Sequence, residues 1–455
     1  MATQGRRAFQ REDKECIQMS EIAEKSKLYN LHSWAAQGAL DPTVVTRAEG
    51  IYFWDEDGKR YYDMSSQLVN SNLGHGNRAL IEAIKNQAES LPFIGPGYAL
   101  DVRSSAAEKI VRFAGPAFEG GKVFFTNAGA DANENAIKFC KEYTGRWKIL
   151  SMYNSYHGSS FGASSLTGEA RRFSAEPGVP GFFHFDGPYA YRAPEQVHFE
   201  TEADVTSYYL GRLHEAIIRE GQDLIAGIFM ETVVGSNGVL APPTGYLAGA
   251  QELCNKYGIM LVLDEVMAGF FRTGTRFAFH QFDVKPDIVT FAKGSTCGYV
   301  PLGGVLLKKE IADFFDENKM WNGLTYSAHP MGLAAMIAAL NEYERLGIEA
   351  NVKKLGGVLA EVLNDMTARH VSIGQARYIG LFSQVELVKS RHTKEKFDAP
   401  TIAKVVRLLS GKGFATYSNE SGIMVAPPLI ITEQELREAL AIFDEVLDEV
   451  DKLTN

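Results

Sequence analysis

Cysteine is scarce in this chain: four thiols in 455 residues, Cys16, Cys140, Cys254 and Cys297, with no paired spacing. That scatter supplies neither a disulfide framework nor the close pairs of a zinc site, so buried, inert thiols and no metal centre are expected. Long apolar runs are missing too. No stretch approaches the length of a membrane span, and the charged residues 1–14 lack the apolar centre of a signal peptide. The expectation is a cytoplasmic protein that does not engage a membrane. Basic residues are outnumbered, 46 Lys and Arg against 56 Asp and Glu, for a formal net charge of -10. That balance argues against a nucleic-acid surface without excluding a local basic pocket. Low-complexity tracts and repeats of solenoid period are also absent. What remains is an ordinary globular composition, 45% hydrophobic and 22% charged, in a chain long enough to bury a large core in two or three domains.

Residues 8–30 read as a polar helix, and 45–62 alternate like a small hairpin turning at Asp55-Glu56-Asp57-Gly58. After a helix at 78–91, strands and helices alternate. Strands are expected at 123–125, 148–152, 224–230, 259–263, 288–292 and 304–307, with helices at 132–143, 209–219 and 247–257. Helical crossovers between strands imply an α/β domain whose mostly parallel sheet is covered on both faces. Beyond Pro330 the pattern becomes helices at 331–346 and 350–369, a strand at 381–387 and a closing helix at 433–452. The expected division is a large α/β domain, 63–320, and a small α+β domain, 321–455, joined by the N-terminal segment 1–62. Residues 171–200, rich in Phe, Tyr, Gly and Pro, read as a long surface loop near an active site or subunit interface.

Several segments carry chemistry. Phe291-Ala292-Lys293-Gly294-Ser295 puts a lysine at a strand's C-terminal end, the edge where open α/β sheets bind ligands. Taken alone it reads first as a snorkelling surface lysine, and second as an amine whose charge is disfavoured by apolar neighbours. Asn127-Ala128-Gly129-Ala130-Asp131 opens a helix after a strand, so its amides point above the sheet and suit a phosphate; Asp131 serves equally as an N-terminal helix charge. Asp264 ends the apolar strand 259–263 at the same rim, where a carboxylate needs a cation: Mg²⁺ or a protonated heterocyclic nitrogen. Tyr156 offers either an aromatic face or core packing. Ser160 sits in Gly158-Ser159-Ser160-Phe161-Gly162, which matches the nucleophile elbow of hydrolases, though five residues, 153–157, separate it from its strand. A lysine, an acid, a phosphate seat and a ring at one sheet edge are what pyridoxal 5'-phosphate requires.

The chain resembles the class III, or ω-, aminotransferases of pyridoxal-phosphate fold type I. The resemblance runs in family order through Asn127 to Glu134, Tyr156-His157-Gly158, Glu231 to Gly238, Asp264-Glu265-Val266, Arg272-Thr273-Gly274, Lys293, Gly298 to Gly304 and Gly323 to Pro330. It implies that Lys293 forms the imine with the cofactor and that Asp264 bonds its ring nitrogen. Tyr156 and Val266 would flank the ring, with His157 and Glu231 among the cofactor contacts. Gly129 and Ala130 would hold the phosphate, and Thr325 would reach the phosphate of a neighbouring subunit, making a homodimer the minimum unit, alone or paired into a homotetramer.

Departures from the family pattern are Ala130 for a hydroxyl residue, Met267 for a glutamine, Thr232 for a proline and Phe271 for a glycine. The sharpest is in 417–428, which lacks the arginine that binds substrate carboxylate in many relatives. Arg103, Arg171, Arg172 and Arg377 are the candidates to replace it. Two segments, His32 to Gly38 and Ser65 to Asn70, resemble the taurine aminotransferase subgroup, implying a sulfonate pocket at Trp34 and Asn70, residues that equally suit dimer packing. The implied reaction moves the amino group of taurine to 2-oxoglutarate or pyruvate, leaving sulfoacetaldehyde and an amino acid. Rival expectations are another ω-amine (β-alanine, γ-aminobutyrate, a diamine), an aminomutase or decarboxylase on the same scaffold, a serine hydrolase using Ser160, and a non-catalytic binding protein.

Overall fold

The computed structural model describes residues 20–420 and 422–454. At its centre lies a seven-stranded sheet: β1 (Lys122–Thr126), β2 (Lys148–Met152), β3 (Phe182–Phe185), β4 (Ile225–Glu231), β5 (Met260–Asp264), β6 (Ile288–Phe291) and β7 (Gly303–Leu307). The spatial order is β1-β7-β6-β5-β4-β2-β3. The ladders from β3 through β2, β4 and β5 to β6 are parallel, and β7 runs antiparallel to both neighbours. Strands β4, β6 and β7 are buried along their whole length. Their burial without alternation, in predominantly apolar sequences, fits a sheet covered on both faces. The fold is that of the α/β, type I pyridoxal-phosphate enzymes, as the motif order implies.

The N-terminal strands Val45–Glu49, Tyr52–Asp55 and Arg60–Asp63 form a sheet whose fourth member, Phe414–Ala415, comes from the far end of the chain and lies parallel to Arg60–Asp63. A further sheet joins Ile373–Ile379, Phe382–Ser390, Gly422–Val425 and Ser418–Asn419. Arg272 sits at the seam. Fully buried, it donates to Leu381 O at 2.9 Å, Pro427 O at 2.7 Å, Ser66 Oγ at 3.0 Å and Asn72 Oδ1 at 2.8 Å, with no carboxylate partner among the described residues.

Some expectations change. Residues 171–200 are not all surface loop, because β3 lies within them as an edge strand beside β2. The span 45–62 holds three strands rather than a hairpin, Gly50 taking φ +59 at the added turn. The helix expected from 132 begins at Gly129, and Ala399–Gly411 is a helix that periodicity did not single out. Of the polar helix expected at 8–30, Glu21–Tyr29 is helical; residues 8–19, with Cys16, lie outside the described residues. Cys140, Cys254 and Cys297 are buried free thiols. Among the described residues no helix is long and apolar enough to cross a membrane.

Candidate active site

Parallel strands deliver their last residues to one rim. Glu231 ends β4 and pairs in register with Asp264, the end of β5, which pairs with Thr290 on β6. Directly after β6 the strand conformation ends at Ala292 (φ -162°, ψ -137°), and Lys293, two residues beyond the strand, takes φ +41. Residues with a Cβ adopt such a backbone uncommonly, and those that do cluster at functional sites. The turn is held by Gly294, where a Cβ would lie 2.6 Å from Asn72 Nδ2 and 2.8 Å from Phe270 Cβ. Above this rim opens a cavity of about 800 Å³.

Asp264, 4% exposed, is fixed from three sides. Its Oδ2 accepts from His157 Nδ1 and Asn133 Nδ2, each at 2.8 Å, and its Oδ1 from Val266 N at 2.9 Å. Asn133 is itself oriented by Thr290 Oγ1, 2.9 Å from its Oδ1. The sequence motif contained Asn133, but its role shows only in the fold: four residues after Gly129, it lies one helical turn in, on the face toward the strands. His157 faces the carboxylate, and its Nε2 is buried without a partner. Next along, Glu265 accepts from Thr232 Oγ1, Ala278 N and Phe279 N, and burial pushes it up to about 7.

Lys293 shares the cavity with Asp264 and Glu231. Burial lowers its ammonium to about 8, against the opposing pull of Glu231 and Asp264. Burial also raises Glu231 to about 7; its oxygens accept from Tyr156 N at 2.9 Å and Gly235 N at 2.8 Å, and no arginine pairs with it among the described residues. The helix Gly129–Thr144 starts at the cavity edge, and its N-cap, Ala128, has no side chain to satisfy the first amides. Those donors face the cavity with the positive end of the helix dipole. A Cβ on Gly129 would sit 2.9 Å from Val266 Cγ2, so the glycine is what lets the backbone lie against that valine.

Trp34, Asn70, Tyr156, Ala130 and Val266 all line the cavity, together with Ser236 and Tyr417, which the sequence did not mark. Thr325 does not; it is exposed elsewhere on the chain. Of the four candidate arginines only Arg171 reaches the site. Its guanidinium carbon lies 3.7 Å from the Tyr156 ring centroid, while its N–H groups donate to Glu169 and, at 2.9 Å, to Ser236 Oγ. Arg103 is committed to the carbonyls of Ile94, Gly95, Tyr98 and Ala328, Arg172 to Glu176, and Arg377 to Glu386.

Ser160 also lines the cavity, but residues 153–160 separate β2 from the helix Phe161–Leu166, so the strand-turn-helix of a hydrolase elbow is not formed. Its Oγ has no hydrogen-bond partner, hence no base against it.

The donor set fits a phosphorylated pyridine aldehyde: uncapped amides for phosphate, a thrice-bonded carboxylate for a ring N–H⁺, and an amine held toward its neutral form. Such a site on such a sheet defines a pyridoxal-phosphate-dependent enzyme of fold type I. The family model "Aminotransferase class-III" matches residues 35–447. A crystal structure of taurine:2-oxoglutarate aminotransferase from Bifidobacterium kashiwanohense, in complex with PLP and glutamate, is 47% identical, with a TM-score of 0.92 over 95% of this chain and 98% of that one. Diaminobutyrate–2-oxoglutarate transaminase of Halomonas elongata is 31% identical over 92% of this chain and 93% of its own. A mitochondrial γ-aminobutyrate transaminase of Oryza sativa subsp. japonica is 31% identical over 90% and 81%. The chain belongs to the class III aminotransferases, enzymes that use pyridoxal 5'-phosphate.

Proposed function

We propose that this aminotransferase takes its amino group from an ω-amine with an anionic head, taurine before others, and gives it to 2-oxoglutarate or pyruvate, so that sulfoacetaldehyde and an amino acid leave. The observation that carries this reading is Arg171: a cation stacked on Tyr156 in a cavity whose 417–419 wall contains no arginine. The Bifidobacterium enzyme named for taurine, at 47% identity, supports the choice of donor.

Bound here, pyridoxal 5'-phosphate supplies an aldehyde carbon for the substrate nitrogen and a ring that withdraws electrons from the carbon bearing it. The chain's residues do the rest. Lys293 Nζ, once displaced, takes a proton from the substrate carbon and returns one, for which an amine held near neutrality is suited. Asp264 keeps a ring nitrogen protonated, and its three donors prevent it from turning away. The Gly129 and Ala130 amides would hold the phosphate, and Tyr156 and Val266 would flank the ring. His157 orients Asp264, and Glu231 holds the Tyr156 backbone. Trp34 and Asn70 face the substrate head.

In the same reading Thr325 serves a neighbouring subunit's phosphate in a homodimer or homotetramer, and the enzyme works in the cytoplasm. The division into 63–320 and 321–455, with 1–62 joined to the latter, is supported by the pairing of Arg60–Asp63 with Phe414–Ala415. Arg171 would take a carboxylate as well as a sulfonate, and relatives named for diaminobutyrate and γ-aminobutyrate favour ω-amino carboxylates as the second reading.

The test is to mix the yellow holoenzyme singly with taurine, β-alanine, γ-aminobutyrate and propylamine and follow the imine absorbance. Taurine is expected to bleach it fastest. Bleaching by propylamine but by none of the three anionic-headed amines would overturn the assignment.

A further inference from the structure

A 2-oxo acid brings an anion that taurine lacks. Its 1-carboxylate is bonded to the carbon that must receive nitrogen, so, on the reading that a 2-oxo acid is the acceptor, this group lies on the side of the cavity that holds Lys293 and Asp264. The basic side chains on the cavity wall are Arg171, Lys293 and His157. His157 Nδ1 is bonded to Asp264 at 2.8 Å, and Lys293 has the proton transfer to perform. Arg171, held against Tyr156 and Ser236, receives the remote head of either substrate in the proposed reading. No cation among the described residues is left for the carboxylate at the reacting carbon.

Glu231 stands there instead. It ends β4 in register with Asp264 on β5, and it lines the cavity while only 5% exposed. Its partners are two neutral amides, Tyr156 N on Oε1 at 2.9 Å and Gly235 N on Oε2 at 2.8 Å, and no cation forms an ion pair with it among the described residues. Each oxygen keeps a lone pair to spare. The titratable groups around it are Asp264, His157 in the turn after β2 and Lys293 beyond β6, with Tyr156, Glu169, Arg171 and Tyr417 elsewhere on the cavity wall. Burial raises its carboxyl, Asp264 adds to the rise, and His157 and the two amides oppose it; the balance is about 7. A second carboxylate arriving within hydrogen-bond reach drives protonation further, because two like charges that close cannot both stay ionised.

We propose that Glu231, in its protonated form, is the receptor for the 1-carboxylate of the acceptor. Its O–H donates to one carboxylate oxygen, forming the charge-assisted O–H···O⁻ bond that two carboxyl groups make when they share a proton. The proton comes from solvent as the acceptor enters and is released when the amino acid product leaves. Taurine, whose reacting carbon carries only hydrogens besides the chain, needs no such proton. Alternation between donor and acceptor is then a change of one proton on a carboxyl that keeps its place, with Arg171 common to both substrates.

The experiment uses the yellow holoenzyme, which a 2-oxo acid enters without reacting because the cofactor then carries no free amine. Binding of 2-oxoglutarate is measured by calorimetry at about pH 8 in two buffers of different ionisation enthalpy, beside levulinate, the same ketone with a methyl in place of the 1-carboxylate. Uptake of close to one proton per chain is expected with 2-oxoglutarate and none with levulinate, while the imine absorbance stays constant and so excludes the imine as the proton's destination. Between about pH 8 and 9 the Kd for 2-oxoglutarate should rise roughly tenfold, as binding linked to one proton requires. Glu231→Gln, whose amide donates at any pH, should bind it with no uptake and with a Kd that does not follow pH. If that variant fails to fold, the two ketones still decide the matter in the unaltered enzyme. Binding of 2-oxoglutarate without proton uptake, equal uptake with levulinate, or uptake that persists in folded Glu231→Gln would overturn the proposal. Recovery of the yellow colour when 2-oxoglutarate or pyruvate is added to the pyridoxamine form separates the two levels: its absence refutes the 2-oxo acid acceptor itself, whereas recovery without proton uptake on binding refutes the role of Glu231 alone.

Discussion

Replacing Arg171 with glutamine removes the cation on which the donor assignment rests. Its Nε and Nη2 are engaged by Glu169 and Ser236, leaving Nη1 without a hydrogen bond among the described residues. One charge-assisted hydrogen bond from it to a sulfonate or carboxylate is worth about 1.5–3 kcal/mol. With tenfold for each 1.4 kcal/mol, Arg171→Gln should lower kcat/KM for taurine roughly 10- to 150-fold. Because the head group is remote from the reacting carbon, most of the loss should appear in KM. Propylamine has no anion to lose and should fall much less. Arg171→Lys, which keeps the charge without the planar fork, should recover part of the taurine activity. Removing Arg171 also strands Glu169, so Arg171→Gln combined with Glu169→Gln separates loss of the receptor from the repulsion of an unpaired carboxylate. The assay is single-turnover bleaching of the imine band over a range of amine concentrations. If taurine and propylamine decline together, within about twofold of one another, Arg171 does not bind the head group.

Three further outcomes follow from the geometry. Burial holds the Lys293 amine down to about 8, and only the neutral amine attacks an aldehyde. Cofactor uptake by apoenzyme, followed by imine absorbance, should therefore climb with pH and level off a little above 8; a climb continuing past 10 would contradict the depressed value. Gly129→Ala places a methyl 2.9 Å from Val266 Cγ2. Strain of about 1–3 kcal/mol should weaken cofactor retention roughly 5- to 150-fold in dialysis, and undiminished retention would deny that the amides lie where the phosphate binds. Arg272→Met leaves carbonyl or side-chain oxygens of Leu381, Pro427, Ser66 and Asn72 without their donor. Stranding a buried neutral acceptor costs about 1–3 kcal/mol, so the variant should lose at least that in urea unfolding, and a change under about 0.5 kcal/mol would show that the seam is not held there.

What could be read from the residues, and what could not, divides on physical lines. Strands β4 and β5 are apolar runs and β6 is a β-branched and aromatic one, so their existence and the delivery of Asp264 and Lys293 to one edge were legible from the pattern, and Glu231 from the motif order. The helix at Gly129 was placed three residues late because Gly-Ala-Asp has weak intrinsic helical character; the tertiary site, rather than propensity, starts it there. β3 escaped because an edge strand of four residues between Gly181 and Gly187 carries too short a pattern to stand out from its turns. Arg171 was one of four equal candidates, since which arginine enters a cavity depends on the path of a loop, and no local spacing encodes that path.

The Asp264 network is built from a helix, two strands and the turn at His157, and none of its members belongs to the loops carrying Trp34, Arg171 and Tyr417. Electron withdrawal and head-group choice are therefore separable by inheritance: the loops can be exchanged or lengthened while the carboxylate stays in register with its ladder. A scaffold so divided lets new amine preferences be tried one loop at a time without retuning the chemistry beneath them.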